Sequence, residues 1–345
     1  MKAWESNIRK VEPYVPGEQP KVQDVIKLNT NENPYGPSEN VRKAMEAIDI
    51  DRCRLYPDPD VTKLVKSIAD YYGMDNNQVF VGVGSDDVLS MCFLTFFNGK
   101  KPVLFPDITY SFYSVWADLY RIPYEKQKLD DNMKIVPEDY YKENGGVIFP
   151  NPNAPTGLLM DLDSVRDIIE HNKDVVVIVD EAYIDFGGVN EYDNVLVVQT
   201  FSKSRSMAGM RIGYAFGSKE LIKALNDVKF SFNSYTMNMT SIDMGVASIN
   251  DKKYFEECVE RITATRERTK EELTKLGFTF PDSKANFIFA THKSVPAKEI
   301  FEKLKDLNIF VRYFAQPGID NYLRITIGTD EQMDKLISAL SEIVG

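Results

Sequence analysis

The stretch DVVVIVDEAY (174–183) decides the architecture. Five apolar residues, Val175 to Val179, run without interruption and stop at Asp180. A surface helix would space its apolar residues by three and four, and a strand with one wet face would alternate. An unbroken β-branched run between polar residues is the pattern of a strand buried on both faces, as in a parallel sheet. Working outward, similar runs recur as QVFVGVG (78–84), KPVLFP (101–106), GGVIFP (145–150), NVLVVQTF (194–201) and RIGYAFG (211–217). Segments with helical spacing, such as 86–97 and 163–172, lie between them. This βαβ rhythm over about 50–235 predicts a doubly wound α/β domain.

Beyond it the pattern changes. A charged helical stretch (252–276) leads into FTFPDSKANFIFA (278–290), NIFVRYFA (308–315) and NYLRITIG (321–328), read as three strands of a separate small sheet. Thr329 and Gln332 have capping-box spacing, and Met333, Leu336, Ile337 and Leu340 form one apolar stripe of a last helix. The first forty residues, with VEPYVPGEQP (11–20) and KLNTNENPYGPS (27–38), are rich in Pro, Asn and Gly and read as an irregular arm. The expected division is an arm (1–40) on the small domain, a large domain (41–240) and a small α+β domain (241–345). A length of 345 residues fits two or more domains at about 150 residues each.

Composition excludes several functions. Lys plus Arg number 41 against 52 Asp plus Glu, a net charge of −11, the wrong sign for binding nucleic acid phosphates. Two histidines, His171 and His292, cannot build a His-rich metal centre, and no metal site is expected. Three cysteines without a CxxC suggest neither a zinc knuckle nor a disulfide framework, so a reducing cytoplasm is expected. The N-terminus has no apolar h-region, and no stretch approaches 18 apolar residues, so neither export nor a membrane span is expected.

In open α/β sheets ligands bind outside the carboxyl ends of the strands, and the polar residues of this chain gather there. Asp180 ends one run, with Tyr183 in the following loop; such an acid either meets a cation or caps a turn. TFSKSRSMAGMRIG (200–213) brings Ser202, Lys203 and Arg211 together: two anion-binding groups and an amine able to act as a nucleophile, or alternatively a solvated basic loop. GVGSDD (82–87) puts Gly84, Ser85 and Asp86 before a helix, a weak phosphate-cradle signal that ordinary capping also explains. FPNPNAPTG (149–157) is a rigid Pro-punctuated loop. The aromatic PDITYSFYSVW (106–116) follows another strand. The Gly-Ser loop, the aromatic run, the Asn-Pro loop, the strand-terminal Asp, the Ser-Lys pair and Arg211 are six features on successive strands of one sheet, and together they point to a single shared ligand.

Together, NPNAPTG, VDEAYIDF, TFSKSRSMAGMRIGY, YLRITIGT and KLNTNENPYGPS resemble the fold-type I pyridoxal-phosphate enzymes, within them the class I/II aminotransferases, and most of all the histidinol-phosphate aminotransferase branch. The resemblance covers essentially the whole chain. It implies a mostly parallel seven-stranded large sheet, pyridoxal 5′-phosphate as cofactor, and transfer of an amino group between an amino acid or amino phosphate ester and a 2-oxo acid. Threonine-phosphate decarboxylases and aromatic aminotransferases resemble the same family and stay open as alternatives.

The resemblance also implies roles. Lys203 would carry the cofactor as a Schiff base and shuttle the Cα proton. Asp180 would pair with the pyridine nitrogen, Tyr183 and Asn153 would approach O3′, and Tyr110 would stack on the ring. Gly84, Ser85, Asp86, Ser202 and Arg211 would hold the phosphate, joined by Tyr56 across the interface of a homodimer with shared active sites. Arg324 would bind the substrate carboxylate; Arg312, and Tyr14 from the partner subunit, would lie near the substrate phosphate. The chain departs from the family's NNPTG at Ala154, where the family has the Asn that bonds O3′, so either Asn153 or Asn151 supplies that contact or Tyr183 acts alone.

Overall fold

The computed structural model describes residues 2–21, 24–183 and 193–345. The VDEAYIDF motif therefore lies outside the described residues from position 184 onward. The arm carries one short strand, β1 (Ile26–Lys27), before helices α1 (Glu39–Glu46) and α2 (Thr62–Tyr72). There follow β2 (Val79–Gly82), α3 (Ser85–Phe96), β3 (Val103–Pro106), α4 (Phe112–Tyr120), β4 (Tyr124–Gln127), β5 (Gly146–Pro150), α5 (Leu162–Glu170), β6 (Val177–Asp180), β7 (Val195–Thr200), β8 (Gly213–Phe216) and α6 (Lys219–Phe232).

These strands form one sheet of seven, in the order β2-β8-β7-β6-β5-β3-β4. All are parallel except β8, which runs antiparallel to both β2 and β7. Side chains of successive residues point to opposite faces, and the core divides accordingly. Val79, Val81, Val147, Phe149, Val177, Val179, Val195 and Val197 pack with α2 and α5 through Leu64, Ile68 and Ile168. Phe80, Phe105, Ile148, Ile178, Leu196 and Val198 pack on the other face with α3, α4 and α6 through Leu89, Phe93, Trp116 and Leu225. Both faces are covered, hence the unbroken apolar runs. The seventh strand, β4, has the sequence YEKQ and lies at the sheet edge with Glu125 and Lys126 exposed, so it carries no apolar signal.

Helix α7 (Met239–Asn250) and the 24-residue α8 (Lys252–Lys275) meet at Asp251. Although α7 begins near the expected boundary at 240, it buries Ile242, Met244 and Ile249 in the large core. The remaining elements are β9 (Phe278–Thr279), β10 (Phe287–His292), α9 (Ala297–Asp306), β11 (Ile309–Phe310), β12 (Arg312–Tyr313), β13 (Leu323–Thr326) and α10 (Asp330–Val344). The second sheet is antiparallel, in the order β12-β13-β10-β9, and shares a core with α8, α9 and α10 through Ile262, Ile300 and Leu336. The three expected strands thus come as five short ones. FTFPDSKANFIFA is split at Pro281, and NIFVRYFA splits at buried Val311 into β11, which pairs with the arm, and β12, which pairs with β13.

The arm is bound to this smaller unit. β1 pairs in parallel with β11, Leu28 N–H donates to the Phe310 carbonyl at 2.7 Å, and Leu28 is buried in the same core. The expected capping box at the last helix is present: Thr329 Oγ1 accepts from Gln332 N–H at 3.3 Å, and Gln332 Oε1 from Thr329 N–H at 2.9 Å. No helix among the described residues is long and apolar enough to cross a membrane.

Candidate active site

Register brings the site together. At the carboxyl edge of the large sheet, Pro150 lies opposite Asp180, Thr200 opposite Gly213, and Gly82 opposite Gly213. The loops leaving this edge face the arm and β12–β13 across a cavity of about 210 Å³. Of the residues expected at a site, Tyr14, Ser85, Asp86, Tyr110, Asp180, Tyr183, Ser202, Lys203, Arg211, Arg312 and Arg324 line it.

Asp180, the last residue of β6, is 4% exposed. Burial raises its carboxyl pKa from 3.8 to about 6, against the opposing pull of two hydrogen bonds. One comes from the buried Tyr113 hydroxyl to Oδ2 at 2.7 Å, the other from Ala182 N–H to Oδ1 at 3.2 Å. Lys203, in the loop after β7, donates from Nζ to the Thr30 carbonyl at 3.0 Å and lies 5.9 Å from the centre of the Tyr183 ring. Burial, then the charge of Arg324, lowers its pKa from 10.5 to about 8. A free amine is therefore accessible near neutral pH. Burial also raises the Tyr183 hydroxyl, while Arg324 and a hydrogen bond from Asn31 oppose that rise.

The anion-binding end is assembled by β8 and the start of α3. Gly84 precedes α3 at φ 87° and ψ 163°, a region essentially restricted to glycine, and a Cβ there would lie 2.5 Å from Arg211 Nη2. A Cβ on Gly213 would lie 2.3 Å from Ser85 N, so the first turn of α3 sits directly against the start of β8. Arg211 reaches Asp86 at 3.6 Å and Ser202 Oγ at 3.5 Å. Tyr110 donates to Asp86 at 2.7 Å. Free backbone N–H groups at a helix start, a guanidinium and a hydroxyl make a phosphate cradle. On the opposite wall, half-buried Arg324 donates to the Asn29 carbonyl at 3.1 Å, while its buried Nε has no partner among the described residues. A buried unpaired donor beside a cavity suits an anionic ligand.

Two expectations differ from the structure. Tyr14 was expected from a partner, yet it lines the cavity of its own chain, stacked on Phe112 at 4.2 Å. The arm folds back across the same subunit to put it there. Asn153 is buried but does not line the cavity: its amide donates to Ile108 O and Thr156 Oγ1, and its Oδ1 accepts from Thr109, so its own loop and the loop after β3 together consume the side chain. Tyr56, expected at the partner subunit's phosphate site, is 82% exposed and stacked on Tyr235 outside its own chain's cavity. Arg205, two residues from Lys203, points away from the site, 4.2 Å over the Phe255 ring and bonded to the Ser248 carbonyl. Sequence reasoning assigned no role to Asn29, Thr30, Asn31 or Glu32, which line the cavity, or to Tyr113. The Asn-rich, Pro-bounded composition of the arm was the available signal.

A parallel-sheet large domain with this amine, acid and phosphate cradle defines an aminotransferase class, and residues 23–340 match the family Aminotransferase class I and II. The chain belongs to that family and is an aminotransferase. It is 52% identical to the histidinol-phosphate aminotransferase of Clostridium beijerinckii, over 99% of this chain and 98% of the relative. It is 49% identical to that of Lactococcus lactis subsp. cremoris, over 99% and 97%. Its fold matches the crystal structures of histidinol-phosphate aminotransferases from Sinorhizobium meliloti, in complex with pyridoxal-5′-phosphate, and Clostridium acetobutylicum. Both have a TM-score of 0.85, at 22% and 24% identity; they cover 92% of this chain and 90% and 99% of their own.

Proposed function

We propose that the chain is a pyridoxal-phosphate-dependent histidinol-phosphate aminotransferase of histidine biosynthesis, interconverting histidinol phosphate plus 2-oxoglutarate and imidazole-acetol phosphate plus glutamate. The observation that carries the chemistry is the pairing, in one cavity, of a buried acid at the end of β6 with an amine of lowered pKa at the end of β7. The substrate rests on the near-full-length identity to the two relatives of that name.

The residues fit the cofactor. Asp180 supplies a buried carboxylate whose desolvation is offset by a protonated pyridine nitrogen. Gly84, Ser85 and Asp86 backbone with Ser202 and Arg211 would hold its phosphate, Tyr110 would cover its ring, and Tyr183 would donate to its O3′. When bound, pyridoxal phosphate supplies an electron sink for the pair left on Cα when the C–H bond breaks. Lys203 moves that proton, a task suited to an amine titrating near neutrality. Arg324 orients glutamate through its carboxylate and histidinol phosphate, which has no carboxylate, through its phosphate, which Arg312 and Tyr14 also receive; a guanidinium fork suits either group.

The enzyme acts as a homodimer. Ile50, Leu55, Tyr56, Phe232 and Tyr235 are exposed, an apolar surface of the kind that marks a subunit interface, and from it each Tyr56 would reach the other subunit's phosphate site. A cytoplasmic setting accords with three free cysteines.

A half-reaction experiment tests the substrate. Adding histidinol phosphate to the cofactor-loaded enzyme is expected to abolish the cofactor's visible band, whereas phenylalanine and threonine phosphate leave it. A response to either of those two and none to histidinol phosphate would overturn the assignment.

A further inference from the structure

Asn31 is 1% exposed, and its polar atoms are all engaged. Its backbone N–H donates to Thr326 Oγ1 at 3.0 Å, its carbonyl accepts from Asn286 Nδ2 at 2.9 Å, and its Oδ1 accepts from Thr326 Oγ1 at 3.1 Å. What remains is Nδ2, which donates to Tyr183 Oη at 2.8 Å. With Thr326 Oγ1 donating to Oδ1, the NH₂ faces the phenol and leaves the Tyr183 proton free. The backbone at Asn31 is left-handed, φ 56°, a conformation Asn tolerates better than most residues.

A phenol oxygen that accepts this bond has its own proton left to donate elsewhere, and the free direction is the cavity. At the position where the family carries a second amide for O3′, this chain has Ala154, which presents a methyl to the cavity wall. Asn153 is spent on Thr156 in its own loop and on Ile108 and Thr109 in the loop after β3. Tyr183 is then left without that second donor beside it.

Resting on the proposed function, we infer that Asn31 is a positioning residue of the reaction: held by Thr326 and Asn286, it aims the Tyr183 hydroxyl proton at the cofactor's O3′ and strengthens it as a donor, offsetting the missing amide at position 154. A hydrogen bond received at Oη polarises the O–H and makes it a better donor. Donation to O3′ favours the deprotonated form of the Lys203-bound cofactor, so Asn31 lowers the pH at which the visible band titrates. The charged groups that act on Tyr183 are Arg324 from β13, Asp180 from β6, Asp86 from α3 and Lys203 from the loop after β7. None of them changes when Asn31 is replaced.

The test is spectroscopic, on the holoenzyme without substrate. Asn31→Gly removes the amide and keeps the left-handed backbone. Its band is expected to titrate about 0.5 to 1 pH unit higher than in the unaltered enzyme, the size of one hydrogen bond. Tyr183→Phe should shift the midpoint further in the same direction, and adding Asn31→Gly to Tyr183→Phe should add nothing. Thr326→Val, which leaves Asn31 in place but frees its amide to flip, should give a smaller rise and serves if Asn31→Gly fails to fold. An unshifted midpoint in both single variants, or an equal shift with and without the Tyr183 hydroxyl, overturns the inference while leaving the enzyme assignment intact. Absence of any cofactor band in the unaltered protein overturns the assignment itself.

Discussion

Arg312 on β12 and Arg324 on β13 are direct cross-strand partners, so two guanidiniums face one another at the cavity wall. Like charges directly opposite on adjacent strands are destabilising, and among the described residues neither is paired with a carboxylate: Arg312 donates to Val15 O at 3.4 Å and lies over Phe314, and Arg324 donates to Asn29 O at 3.1 Å and lies over Phe287 and Phe314. An arrangement that costs stability in the empty protein is explained by anionic ligands: a carboxylate at Arg324 in one substrate, and in the other a dianionic phosphate shared by both arginines.

The two arginines should therefore separate kinetically. Arg312→Ala is expected to raise KM for histidinol phosphate about tenfold to a hundredfold, the worth of a charged hydrogen bond, and to leave the glutamate half-reaction within about threefold. Arg324→Ala should impair both. Steady-state kinetics with each substrate checks this; equal losses for glutamate and histidinol phosphate in Arg312→Ala would refute the assigned division.

Asp180 carries a pH signature in the apoprotein. Its pKa rises from 3.8 in the unfolded chain to about 6, so the folded state binds more protons between those values. The associated stability is present below pH 4 and lost as pH rises through 6. Asp180→Asn, which keeps an acceptor for Tyr113, should raise apoprotein stability at pH 7 by about 3 kcal/mol and leave it nearly unchanged at pH 4. Cofactor affinity should fall in the same variant. Thermal melts at the two pH values, with and without pyridoxal phosphate, measure both effects.

Gly84→Ala should cripple the phosphate cradle without unfolding the chain. The added methyl meets Arg211 at 2.5 Å on a backbone conformation costing a non-glycine residue about 1 to 3 kcal/mol. Cofactor titration is expected to give a dissociation constant at least about tenfold weaker.

Lys203→Ala should retain the fold and lose turnover together with the reducible cofactor adduct. Subunit mixing then tests the shared site. Lys203→Ala and Tyr56→Ala subunits, each impaired alone, should regain activity in mixed dimers, because one of the two sites then has both residues intact. No recovery on mixing would show that Tyr56 serves its own subunit or none.

Local pattern was enough for the elements that bury two faces. The run ending at Asp180, the loop holding Ser202, Lys203 and Arg211, and the Thr329–Gln332 capping box follow from residue type and short spacing, and all lie where those signals point. These are properties of neighbours along the chain, which the sequence by itself determines. Tertiary structure decided the rest. The charged edge strand β4 is a strand because β3 offers it a free ladder, not because YEKQ prefers one. Arg205 and Lys203 differ in orientation although two residues apart, since the rings that hold Arg205 come from Tyr71, Phe201 and Phe255. Asn153 is used up by Thr156 in its own loop and by Thr109 and Ile108, 44 and 45 residues earlier, and Asn31 meets Tyr183, 152 residues away. A hydrogen bond between groups so far apart in the chain exists only once the arm is pinned to the small sheet, so no local sequence signal encodes it.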